Sequence, residues 1–257
     1  EGGEGGGGSG GAALQEALLA ALLGGIGRAP TDRQRRVYEK IVEAYDAGKH
    51  AEVVKMAGEG QAVAEELRRA WPGLAAPIYC MLGESFAERC EHVKGVGLLE
   101  QARALAVESG DRDVLGGVCN SLGGYHRAQG EHKKAIEDYE QGRAIAVKLG
   151  HREGEGAVCH NMANSYRALK QYDKAIELFE QALTISEELG DKSMQASTCR
   201  NLGRCLSRHG QHDKAVACLK RAWGICQSTA TRGTRRVHQF SSARRCGRER
   251  EPSTTSL

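Results

Sequence analysis

Aromatic residues make up only 5% of this 257-residue chain, and proline occurs four times. Sandwiches and barrels draw on aromatic and β-branched residues and on turn prolines, so this scarcity argues against them. No run approaches the roughly 20 apolar residues that a membrane-spanning helix needs. The stretch from Ala12 to Leu23 has the length of a signal-peptide core, but it contains Gln15 and Glu16 and follows an acidic, Gly-rich segment where basic residues belong. Nine cysteines are an odd number in a long chain, which fits reduced, buried thiols of a cytoplasmic protein better than a disulfide framework. What is abundant is Ala, Glu, Leu, Lys and Arg, the residues of helices. With 40% hydrophobic residues the chain can bury a core, so a wholly disordered protein is excluded.

The net charge of +3 is unevenly spread. Residues 1–75 carry nine basic and eleven acidic side chains, residues 76–227 carry twenty of each, and residues 228–257 carry seven arginines against Glu249 and Glu251. The excess therefore sits in the tail. The chain starts at Glu1 rather than Met, so a fragment, a processed product or an incomplete gene sequence is expected.

A forty-residue period organises the middle. Leu82, Leu122, Met162 and Leu202 recur at that spacing, each followed by a small residue, Gly83, Gly123, Ala163 or Gly203. Thirteen residues on stand Gly95, Ala135, Ala175 and Ala215; four further come Leu99, Tyr139, Phe179 and Leu219, then Ala102, Gly142, Ala182 and Ala222, then Leu105, Ile145, Ile185 and Ile225. Spacings of three, four and seven put these residues on one face of each of two helices. Each copy is thus predicted to be a helical hairpin, with small residues where the helices cross. One hairpin buries too little apolar surface to offset its own ordering cost of about 1–2 kcal/mol per residue, so neighbours must stack.

These columns resemble the tetratricopeptide repeat, best in the third copy, with Met162-Ala163, Tyr166, Ala175, Phe179 and Ala182. The long period, the stretch from Asn161 to Ile176, the Leu149–His151 and Leu189–Asp191 linkers and Asn201-Leu-Gly203 look like the Pins-type cell-polarity adaptors. The resemblance implies an all-α, right-handed superhelical solenoid of antiparallel helix hairpins. Four hairpins are expected over residues 76–227, at about 76–112, 113–152, 153–192 and 193–227. A degenerate capping hairpin is expected at 36–75, turning at Gly48. Trp71-Pro72 and Pro77 are read as the break before the array. Residues 1–11, eight of them glycine, read as a flexible segment, 12–35 as a stretch that could hold a short helix, and 228–257 as a basic disordered tail.

The resemblance further implies that the first helix of each pair lines a concave groove. On that basis the peptide-binding candidates are Asn120, Arg127, Asn161, Asn164, Arg167, Arg200, Asn201 and Arg204, with His160 beside them. Asparagine can hold the backbone of an extended peptide, and arginine can grip a carboxylate with two bonds. The plain alternative is that these are the solvated faces of amphipathic helices. The carboxylate-clamp branch of the family needs lysines that the matching helices lack, so chaperone tails are not expected, and no G-protein-binding motif is visible.

Cys205, His209, His212 and Cys218 can be written as a zinc set, but His212 occupies the column of His92, His132 and Tyr172, a packing position. Cys119, Cys159 and Cys199 recur at one repeat, as expected of small apolar residues at a helix contact. No metal, no cofactor and no catalytic residue is expected. The tail arginines admit three readings: a phosphate or acidic-partner contact, a passive extension, or sequence foreign to the protein. With one aromatic, Phe240, the tail offers little stacking surface, so nucleic acid is not the favoured partner. The expectation is a non-enzymatic, cytoplasmic adaptor or scaffold holding a peptide segment of a partner protein, extended or helical and partly acidic. The alternative is a regulatory segment of a larger signalling protein whose catalytic domain lies elsewhere. Trp223 and Ile225 at the end of the array leave self-association open.

Overall fold

The computed structural model describes residues 30–228, in two compact units that divide between Leu169 and Lys170. The first unit contains α1 (Asp32–Asp46), α2 (His50–Lys55), α3 (Ala57–Arg68), α4 (Pro72–Glu88), α5 (His92–Ser109), α6 (Arg112–Ala128), α7 (His132–Leu149) and α8 (Arg152–Ala168). The second contains α9 (Tyr172–Glu188), α10 (Lys192–Arg208) and a last helix, α11, at 212–228. Among the described residues there is no strand, and no helix is long and apolar enough to cross a membrane. The Gly-rich start, most of residues 12–35 and all of the basic tail after Ser228 lie outside the described residues.

Helix starts follow local chemistry. Thr31 and Gln34 form a reciprocal capping box that starts α1 at Asp32. Asp111 and Asp191 accept the backbone N–H of Val114 and Met194 and so start α6 and α10. Between the arms of successive repeats lies one residue of positive φ. It is Gly130 and Gly210 in two repeats, but Cys90 (63°) and Lys170 (61°) in the others. A side chain there is strained, and at Cys90 the turn is imposed by the packing of α4 on α5 rather than by the residue.

Two sequence expectations are corrected. Pro77 does not mark a break: it lies inside α4, while Pro72 occupies the first turn, where its missing N–H is harmless. The residues read as one hairpin at 36–75 are spanned by three helices and the start of a fourth. The second arm is interrupted at Met56, and beyond it Gly60 lets α3 approach α1 so closely that a Cβ would stand 2.8 Å from Ile41 Cδ1.

In the first unit α1, α2 and α3 pack on α4, burying Val37, Tyr38, Ile41, Val53, Val63 and Leu67 against Leu74, Ile78 and Leu82. Each such large side chain contributes roughly 1.5–3 kcal/mol. The α4–α5 crossing is closer still, since a Cβ on Gly95 would meet the Gly83 carbonyl oxygen at 2.8 Å. The α6–α7 crossing repeats the device with Gly123 beneath the Tyr139 ring. First arms also touch one another, α4 with α6 and α6 with α8. In the second unit α9 packs on α10, and Gly203 of α10 receives Leu219 and Ala215 of α11. On α11, Val216, Leu219 and Trp223 are exposed, Trp223 at 68%, whereas Ile225 is half-buried.

Candidate functional site

In the first unit, residues one repeat apart on α4, α6 and α8 form polar rows. The row Glu84, Gly124, Asn164 is the most informative. Glu84 accepts the hydroxyls of Tyr45 on α1 and Ser121 on α6, and the Cys80 thiol approaches it at 3.7 Å. Burial, reinforced by the Glu84 charge, raises the pKa of both Tyr45 and Cys80. This carboxylate is therefore committed to holding α1, α4 and α6 together.

On α6 and α8 the candidate residues meet one another. Asn161 Nδ2 donates to Asn120 Oδ1 at 3.1 Å, joining first arms of successive repeats. Each primary amide has further hydrogen-bonding capacity beyond that one bond. Asn164 Nδ2 donates to the His160 carbonyl at 3.0 Å, and its Oδ1 accepts Arg167 Nη2 at 3.1 Å. Arg167 is thus positioned by Asn164, and both are half-buried. Arg127 is exposed, and its guanidinium lies beside the phenol of Tyr139. Burial raises the Tyr139 pKa, and Arg127 opposes that rise. Beneath this row, His126 Nδ1 and Asp138 Oδ2 pair at 2.7 Å inside the α6–α7 hairpin.

In the second unit Arg200 and Arg204 are exposed on α10, and Asn201 is half-buried between them. The sequence reading missed Glu84, Gly124 and Tyr139. Their signal was present, because Glu84, Gly124, Asn164 and Arg204 share one repeat column running from acidic to basic.

The zinc alternative finds no support in the geometry: Cys205 is buried with its thiol 3.9 Å from the Tyr172 carbonyl, and His209 Nε2 lies 3.1 Å from Asp173 Oδ1. No group of three metal-binding side chains occurs among the described residues. Cys119, Cys159 and Cys199 are fully buried. Burial, helped by Asp138, pushes the Cys119 thiol up to about 11, and burial also raises Cys159 and Cys199, the reverse of what a nucleophile needs.

Hairpins of paired helices with small residues at the crossings and a recurring left-handed turn are also what the comparisons with known proteins return. Residues 156–228 match the family described as tetratricopeptide repeat. The fold is tetratricopeptide-like. The structure of BtubC (BKLC) from P. vanneervenii is 24% identical with a TM-score of 0.70, over 86% of this chain and 90% of that one. A Podosopora anserina putative kinesin light chain of nearly identical TPR-like repeats is 22% identical with a TM-score of 0.60, over 77% of this chain and 96% of that one. A Rap protein complexed with competence and sporulation factor is 16% identical with a TM-score of 0.63, over 74% of this chain and 54% of that one. No curated protein matches the sequence. At these identities the likeness concerns the fold of the tetratricopeptide-like repeats.

Proposed function

We propose that this chain is a non-enzymatic cytoplasmic adaptor that holds a peptide segment of a partner protein on the first arms of its tetratricopeptide-like repeats. The observation that carries this reading is the polar row of α6 and α8, in which Asn120 is bonded to Asn161 and Arg167 is held by Asn164. Amides fixed in this way are pre-organised to exchange donor and acceptor contacts with an extended backbone, which lowers the ordering cost of binding. The positioned guanidinium favours a segment with acidic residues. The forty-residue period supports a long-period adaptor of the Pins-like kind. The solved Rap protein complexed with competence and sporulation factor illustrates a complex of this fold class.

The test is a peptide-display selection against the full chain, run beside Arg167→Glu/Arg204→Glu. One motif enriched on the wild type and lost on the double variant, with unchanged helical circular dichroism, is the expected result. Enrichment that is equal on both proteins shows that neither arginine takes part in binding, and absence of any enriched motif overturns the adaptor reading.

A further inference from the structure

Tyr139 is fully buried, yet its hydroxyl has no hydrogen-bond partner of adequate geometry. A phenol both donates and accepts, and the Arg127 guanidinium beside it can only donate. The phenolic proton is thus left without an acceptor, a costly arrangement for a buried group. The hydroxyl comes up to the row of first-arm residues beneath Gly124, where an added Cβ would stand 3.7 Å from it. Gly124 lies four residues after Asn120 and three before Arg127, so all three share one stripe of α6. One repeat further on, the same stripe carries Asn164 and Arg167. One repeat earlier it carries Glu84, whose charge is already taken up by Tyr45 and Ser121. The stripe therefore offers a proton donor and a cation at Gly124, whereas the carboxylate at Glu84 is already engaged.

We propose that Gly124, Arg127 and Tyr139 form a subsite for one carboxylate of a bound peptide, which rests on the reading of this face as a peptide-binding one. The exposed arm of Arg127 swings from the phenol to the carboxylate and uncovers the buried hydroxyl, which donates a hydrogen bond to one carboxylate oxygen, and the absence of a side chain at Gly124 leaves room for that oxygen. Both donors then serve a single anion, the carboxylate of an acidic side chain. A neutral amide oxygen takes the phenol's hydrogen bond but gains nothing from the arginine.

The probes are the α-amides of N-acetylglutamate and N-acetylglutamine, the first with one carboxylate and the second with none, titrated into the full chain carrying 3-fluorotyrosine and followed by fluorine NMR, with the Tyr139 resonance assigned by its loss in Tyr139→Phe. Phe179 fills the same column fully buried, so the phenylalanine variant is expected to fold. The expected result is a saturable shift of the Tyr139 resonance with the glutamate α-amide and little with the glutamine α-amide, abolished by Arg127→Gln. Gly124→Ala fits without a clash and improves helix propensity, so it should leave the fold intact while weakening the shift. For a glutamate peptide taken from the display selection, Tyr139→Phe should weaken binding about tenfold or more. A Tyr139 resonance that ignores both probes, or responds to them equally, overturns the subsite. If acidic peptides bind but are insensitive to Tyr139→Phe and Gly124→Ala, the subsite is wrong and the adaptor reading stands. A carboxylate-specific shift without any selected peptide keeps the subsite and rejects the adaptor reading.

Discussion

Tyr139 and Leu219 occupy the same column of the repeat, two copies apart, yet Tyr139 is 0% exposed and Leu219 is 41% exposed. Both are held from one side in the same way, by Gly123 of α6 and Gly203 of α10. The difference is what comes next. The α6–α7 hairpin is followed by α8, which packs on α7, whereas α11 is the last described helix. The start of the described chain shows the opposite solution: α1, α2 and α3 cover α4 and bury Tyr38 and Ile41. A hairpin of this kind closes its own crossing but needs a neighbour to close its outer face.

The largest expected effect sharpens that contrast. Tyr139→Ala should cost about 3–5 kcal/mol, the usual loss for a buried aromatic. Leu219→Ala, where solvent already reaches the side chain, should cost about 1 kcal/mol or less. Urea unfolding at unchanged m gives both values, and equal losses would show that the column is not closed by stacking.

The covered end gives the next effect. Burial, with help from Asp111 and Asp46, raises the Tyr38 pKa to about 12. A phenol whose folded pKa lies above its unfolded value of 10 stabilises the protein fully below pH 10 and loses that contribution as pH rises toward 12. Stability measured by denaturant across this range should fall by about 2–3 kcal/mol more in the wild type than in Tyr38→Phe. Identical alkaline profiles would place Tyr38 outside the core of the covering helices.

The smallest effect concerns the turns. Cys90→Gly and Lys170→Gly relieve positive-φ strain that Gly130 and Gly210 avoid, and each should raise stability by about 1 kcal/mol in thermal or urea unfolding. A loss of stability in either variant would mean that its side chain makes a contact worth more than the strain.

Much of the fold was legible because its determinants are local and repeated. The alternation of Leu82-Gly83 with Gly95 and Leu99 announces two arms and their crossing. The interruption at Met56 was not legible, since no proline stands there and the break answers to how α3 meets α1 at Gly60. Pro77 misled for the complementary reason: propensity disfavours proline inside a helix, but burial of Leu74, Ile78 and Leu82 outweighs one lost hydrogen bond. Of the candidate site, the asparagine and arginine positions were readable as a column pattern. Their pairing was not, because the Asn120–Asn161 bond depends on how closely α6 and α8 approach.

By itself the sequence determined the period, the two arms of each repeat and the small residues at their crossings, because these follow from spacing along one chain. Tertiary structure decided which polar groups were consumed and which were left. It brought Tyr45 to Glu84 across 39 residues, and it set the Tyr139 hydroxyl beneath a glycine without a hydrogen-bond partner of adequate geometry. Hydrogen bonds form or fail over a few tenths of an ångström, a precision that the packing of whole helices supplies and residue spacing does not.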